Sequence, residues 1–205
     1  MDVQQVAAWL RRLANLDMRV FDEIRTNPTA TIPGATIAFI SILIAGFGGW
    51  LWWVLQDLPG SSDILVSSAL LGSLLAFVLW GMWLMLVYVM ITQVFRERAY
   101  VEQLLRVMGL AASPIALMGL MFIPGISFAI GIASLALAVS LTNVAIKSVT
   151  TADNAQVLVS NLLGFFVWCA GLTLLASAVD PHAPGIFLFE SISRSLTDAI
   201  SATQQ

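Results

Sequence analysis

Charge is scarce in this sequence. Only 10% of the residues are Asp, Glu, Lys or Arg, where a soluble domain carries about 25%. Hydrophobic residues make up 59% of 205 positions, and the mean hydropathy is +0.92. That leaves too little polar surface to solvate a globule of this size, so the chain reads as an all-α integral membrane protein. The net charge of -3 provides no broad basic face, which excludes nucleic acid as a partner. The single cysteine, Cys169, lies in an apolar block, so neither an intrachain disulfide nor a cysteine metal cluster is available. The single histidine, His182, sits in "VDPHAPG" and reads as a loop residue without neighbours that would make it a metal or pigment ligand. No apolar block holds a pair of carboxylates, which excludes a pump-type proton relay. There is no glycine-rich phosphate loop and no Ser/His/Asp set. Catalytic, cofactor-binding and metal-binding residues are therefore not expected, and a membrane enzyme acting on lipids is the least favoured class. Residues 1–25 lack the uninterrupted apolar core of a cleavable signal.

Long apolar runs are what the chain does have. A helix needs about 20 apolar residues to cross the hydrocarbon core, and five blocks meet that need. They lie at about 32–55, 64–95, 107–123, 126–146 and 157–179. The third and fourth are separated only by Pro124-Gly125, a turn signal. Fused into one helix they would run about 60 Å at 1.5 Å per residue, twice the hydrocarbon thickness. Two spans joined by a tight turn fit better. The third block is the shortest and is expected to lean on the segment before it.

Basic residues gather on one of the two sides. Arg11, Arg12, Arg19 and Arg25 precede the first block; Arg96, Arg98 and Arg106 follow the second; Lys147 follows the fourth. The loops after blocks one and three hold none, and the C-terminal tail holds only Arg194. The positive-inside rule then expects a cytoplasmic N-terminus and, with five spans, a C-terminus outside. Residues 1–30 form a cytoplasmic amphipathic segment, 31–180 the bundle and 181–205 an extracytoplasmic amphipathic tail. In the first segment Val3, Val6, Leu10 and Leu13 recur at helical spacing, with Trp9 and the arginines off that stripe. In the tail Phe189, Ile192, Leu196 and Ile200 share a face, while Glu190, Arg194 and Asp198 lie four apart off it. Both segments read as helices on the membrane surface; the tail has partner docking as its second reading.

Few side chains inside the blocks suggest more than packing. Asn143 and Asn161 are interhelical polar candidates, since an amide facing lipid is costly. They read as glue between spans four and five, or as part of a solute path. Trp50, Trp52 and Trp53 fit an interfacial belt. Trp80 and Trp83 fall near the middle of the long second block and share a face. They read as packing residues, with partner contact as the sharper alternative. Gly46 to Gly49, Gly119, Gly125 and Gly131 read as close-approach points between helices.

The densest charge lies in "FRERAYVEQLLRVMGLAASPIALMGLMFIPG". Tyr100, Leu104 and Val107 form one helical face, and Arg98, Glu102 and Arg106 another at four-residue spacing. This reads as a short interfacial helix leading into a third span that Pro114 kinks. The stretch also carries a resemblance. Arg98, Tyr100, Leu105-Arg106-Val107, Ala111-Ala112-Ser113 and Pro114 resemble the pattern after the second span in the bacterial branch of the Yip (Ypt-interacting protein) family. "FDEIRTNPTATIPG" and "LTNVAIKSVTTADNAQVLVSNLLG" add weaker matches, so the resemblance covers about residues 20–180. It implies a five-span bundle with a cytoplasmic N-terminus, no known enzyme activity, and protein or lipid partners. The Asp-Leu-Tyr-Gly-Pro type segment of the eukaryotic branch is absent, so binding of a soluble GTPase is unsupported. The function expected is that of a scaffold or accessory subunit in the bacterial plasma (inner) membrane. Its partners would be the lipid bilayer and other integral membrane proteins, with Arg98, Tyr100, Arg106, Trp80 and Trp83 as docking candidates. A small transporter or channel-like protein with a polar path near Asn143 and Asn161 is the alternative.

Overall fold

A computed structural model of the chain describes residues 3–177 and 183–188. His182 and the amphipathic tail with Arg194 lie outside the described residues. Within them the regular structure is entirely helical, and five helices are long and apolar enough to cross a membrane: Pro28–Leu55, Ser61–Val94, Val101–Phe122, Ser127–Val149 and Asn154–Ser177. They are called spans one to five below. Two shorter helices, Val3–Ala14 and Val20–Thr26, precede them.

Span three shows how the local sequence sets the path. Its α-helix starts at Val101, directly after Tyr100 in an extended conformation, and ends at Ala111. Arg98 therefore lies ahead of the helix, and Glu102 and Arg106 belong to the span itself rather than to a separate surface helix. Pro114 has no N–H to give and its ring would strike the carbonyl one turn back. The chain responds by changing helix type, not by kinking an α-helix. Ser113–Phe122 winds as a 3₁₀-helix of 10 residues, far longer than the usual three or four. The hydroxyl of Ser134 in span four donates to the Pro114 carbonyl at 2.6 Å. Because a 3₁₀-helix rises about 2.0 Å per residue against 1.5 Å for an α-helix, the two parts together reach about 36 Å. The shortest apolar block thus clears a hydrocarbon core of about 30 Å.

The same stretching keeps spans one and three in register. A Cβ on Gly109 would lie 2.3 Å from the Gly34 carbonyl oxygen, and one on Gly48 2.6 Å from the Gly119 Cα. At both points backbone meets backbone, so the two helices run side by side in the same direction. Gly34 to Gly48 covers about 21 Å of α-helix. Gly109 to Gly119 covers about 18.5 Å, but only because seven of those ten steps are 3₁₀. As plain α-helix it would cover about 15 Å and one contact would be lost. Gly125 plays a different part from the one expected. It has φ +84 with nothing near a would-be Cβ, so it serves the turn between spans three and four.

Span two packs on span five through aromatic rings. Trp83 fills the notch left by Gly164, where a Cβ would lie 2.1 Å from its ring. Its ring centroid is 5.4 Å from that of Phe165 and 6.0 Å from that of Trp168. Trp168 donates from Nε1 to the Ala76 carbonyl at 3.0 Å. Trp80 stacks on Phe77 at 5.6 Å. At the end away from the basic residues, Trp50 and Trp53 cap the loop by donating to the carbonyls of Ser61 and Pro59.

The glycine crossing yields a direct test. Gly109→Ala should lower stability by about 1–3 kcal/mol, the usual cost of overpacking. Gly81→Ala, where an added Cβ meets nothing within 4 Å, should leave stability unchanged or raise it by up to about 1 kcal/mol. Reversible unfolding of both variants in bicelles measures the contrast.

Candidate functional site

The polar end of the bundle is organised by Arg106, which is only 6% exposed. Its Nε donates to the Thr31 hydroxyl at 2.8 Å, at the head of span one. Its Nη1 donates to the Arg25 carbonyl at 3.0 Å, at the end of helix Val20–Thr26. Its Nη2 pairs with Glu102 one turn earlier at 3.1 Å. Gly34 makes this approach possible, since a Cβ there would lie 3.0 Å from the Arg106 carbonyl oxygen, inside ordinary van der Waals contact. Arg25 extends the chain of contacts. Its Nη1 donates to the Ser148 carbonyl at 2.8 Å, in the last turn of span four, where the helix dipole favours a cation. Arg106 is thus an internal fastener, and its charge is not offered to a partner.

The N-terminal helix is packed against this end. Its buried residues are Val6, Trp9 and Leu13, so Trp9 belongs to the inward face and Val3, which is exposed, does not. Trp9 donates from Nε1 to Glu23 at 2.8 Å, Arg12 donates from Nε to Asp17 at 2.8 Å, and Arg12 also pairs with Glu23. The indole N–H of Trp9, with Arg12 beside it, holds the Glu23 carboxyl below its usual range. The hydrogen bond from Arg12 lowers Asp17 in the same way. Beyond Leu13 the chain borders Pro114 and Leu117 of span three and Leu137 and Leu141 of span four across an apolar groove of about 320 Å³.

The connection from span two to span three turns at Arg96 and is extended at Tyr100. Arg96 adopts a left-handed backbone at φ +58, and the Glu97 N–H closes back on the Ile91 carbonyl at 2.9 Å. The Thr151 hydroxyl donates to Glu97 at 2.6 Å and accepts from the Arg98 N–H at 3.1 Å. An extended chain alternates its sides. Glu97 and Ala99 are accordingly half-buried, while Arg96, Arg98 and Tyr100 are exposed. Tyr100 is 64% exposed.

Of the residues singled out from sequence, Arg98 and Tyr100 come together on this row. Arg106 points into the bundle instead. Trp80 and Trp83 are 2% and 1% exposed, so within this chain they face neighbouring spans and not an outside partner. Asn161 is fully buried and donates to the Val139 carbonyl at 3.0 Å, bridging spans four and five. Asn143 does not meet it there. It lines a separate cleft of about 590 Å³ with Met18, Arg19 and Asp22, with Val144, Lys147 and Ser148, and with Asn154, Val157 and Leu158. Among the described residues no group of three or more His, Cys, Asp and Glu side chains is placed to hold a metal ion. Sequence reading missed Arg25, Thr31 and Gly34. Each makes its contact with a residue more than 70 positions away, and helical periodicity carries no signal of that.

The pairs at Asp17 and Glu23 predict an acid limit. Both carboxyls are held below their unfolded values near 4. Their contribution is therefore full above that pH and is lost as pH falls through the lowered folded values. Hydrogen exchange across residues 6–13, corrected for intrinsic rates, should show constant protection from pH 8 to about 5. Protection should fall below about pH 4, and Glu23→Gln should abolish most of that dependence.

A family model described as Yip1 domain matches residues 18–178. That range takes in helix Val20–Thr26 and all five spans. No curated protein matches the chain, and no solved structure does. The match covers most of the sequence, including Arg25, Thr31, Arg106 and the exposed row, and the chain belongs to the Yip1 domain family.

Proposed function

We propose that this chain is a non-enzymatic membrane scaffold or accessory subunit, which recruits an acidic segment of another membrane protein to the row Arg96, Arg98 and Tyr100. The observation that carries this reading is the exposure of those three side chains on a connection whose Arg98 N–H is pinned by Thr151 and which is extended at Tyr100. Two cations and an aromatic ring in a row suit carboxylates flanked by apolar groups, and Tyr and Arg are the side chains that anchor interfaces most often. An ordered segment also loses little entropy on binding.

The eight basic residues among those described lie at one end of the bundle: Arg11, Arg12, Arg19 and Arg25 ahead of span one, Arg96 and Arg98 after span two, Arg106 in the second turn of span three and Lys147 in the last turn of span four. By the positive-inside rule this end faces the cytoplasm, so the partner segment is cytoplasmic. The bacterial-type sequence pattern supports residence in a plasma (inner) membrane. Asn161, buried and bonded across two helices, favours packing over a solute path.

The test is Arg98→Glu combined with Tyr100→Ala, which leaves the Arg106 fastener untouched. Surface changes of this kind should alter stability by less than about 0.5 kcal/mol. Chemical cross-linking in native membranes should then recover the wild-type chain with a defined partner and the double variant without it. Recovery of the same partner by both would refute the docking row.

A further inference from the structure

We infer that the cleft between helix Val20–Thr26 and spans four and five is a binding site for the headgroup of an anionic phospholipid. The inference is independent of the docking row, which lies on another connection.

The cleft gathers polar groups that the fold leaves unused. The Arg19 side chain makes no hydrogen bond or close ion pair among the described residues; its backbone N–H bonds Asp17, and its charge acts on that carboxyl only from a distance. Lys147 is the only lysine in the chain, and one of its three N–H donors goes to the Ala152 carbonyl at 2.6 Å. Asp22, the one acid in the lining, lies 3.4 Å from Arg25 on the same helix, which offsets part of its charge. The cleft therefore keeps two cations facing an open volume of about 590 Å³. A phosphate diester satisfies both through charge-assisted hydrogen bonds.

Asn143 supplies a second and separate sign of a ligand. Its Oδ1 is buried without any hydrogen-bond partner, a costly state for an amide. A turn of the amide brings that oxygen to the cleft, where a headgroup hydroxyl answers it. Asn154, at the start of span five, lines the same space.

Membrane lipid is the occupant because of what borders the charges. Val144 and Leu158 line the cleft and are exposed apolar residues of spans four and five. Leu162, one turn deeper in span five, is exposed too. An acyl chain running along this strip leads directly to the cations, whereas a soluble anion has no use for it.

The probe is phosphatidylglycerol, which has one phosphate diester and free hydroxyls. Native mass spectrometry of the full chain, released from detergent with phosphatidylglycerol added, should retain one lipid that phosphatidylcholine does not replace. Arg19→Gln with Lys147→Gln should weaken retention at least tenfold, with circular dichroism melting unchanged. A phosphatidylglycerol carrying a diazirine in its acyl chain should label Val144 or Leu158 in the wild-type chain, a readout that does not need the variant to fold. Equal retention by wild type and variant, or labelling that avoids both residues, would overturn the site. Glycerophosphate competing as well as the lipid would also overturn it, in favour of a soluble anion.

Discussion

A guanidinium shut inside a membrane bundle keeps its charge, so its N–H groups have to be answered by the protein. Arg106 meets that demand with three partners from three segments: the Thr31 hydroxyl, the Arg25 carbonyl and the Glu102 carboxylate. Two of these acceptors are neutral, and Glu102 is largely exposed. The arrangement resembles a capped end more than a buried ion pair. It fixes where span one begins, how far the short helix Val20–Thr26 reaches over the bundle, and how span three enters. Arg25 passes the constraint to span four by donating to Ser148. With that helix held, Arg19 and Asp22 stand over the cleft beside Lys147, and Glu23 stands where Trp9 and Arg12 can dock the N-terminal helix.

The apolar half of the structure answers to a different constraint. Lipid gives no hydrophobic drive to pair helices, so close backbone contact and a few internal hydrogen bonds hold them together. The Gly34–Gly109 and Gly48–Gly119 contacts supply the first. Ser134 on Pro114, Asn161 on Val139 and Trp168 on Ala76 supply the second. Pro114 connects the two. It stops the α-helix, and the 3₁₀ stretch that follows lengthens span three enough to keep both glycine contacts.

Five spans and the short N-terminal helix were legible because hydropathy and helical spacing are local signals. Membership of the family was legible in the stretch from Arg98 to Pro114. What that stretch does was not. Arg106 and Glu102 look like a solvated pair at four-residue spacing, yet the acceptors that bury Arg106 come from Thr31 and Arg25, far away in sequence. Pro114 predicts an interrupted α-helix, but no local rule predicts ten residues of 3₁₀-helix; the matched glycines on span one impose it. Trp80 and Trp83 stand out in midspan, and only Gly164 on span five explains why the Trp83 ring points inward. Conversely, Arg98 and Tyr100 share an exposed row because the chain there is extended, with a period of two where the charge spacing suggests a helix.

The claim on which the rest depends is that Arg106 fastens span one to span three through Thr31. A double-mutant cycle of Arg106→Gln and Thr31→Val, read by reversible unfolding in bicelles, addresses it directly. Residues sharing a hydrogen-bond network show interaction energies of about 0.5–3 kcal/mol, while independent sites add within about 0.5 kcal/mol. A coupling of about 1 kcal/mol or more is predicted. Additivity of the two substitutions would contradict the account.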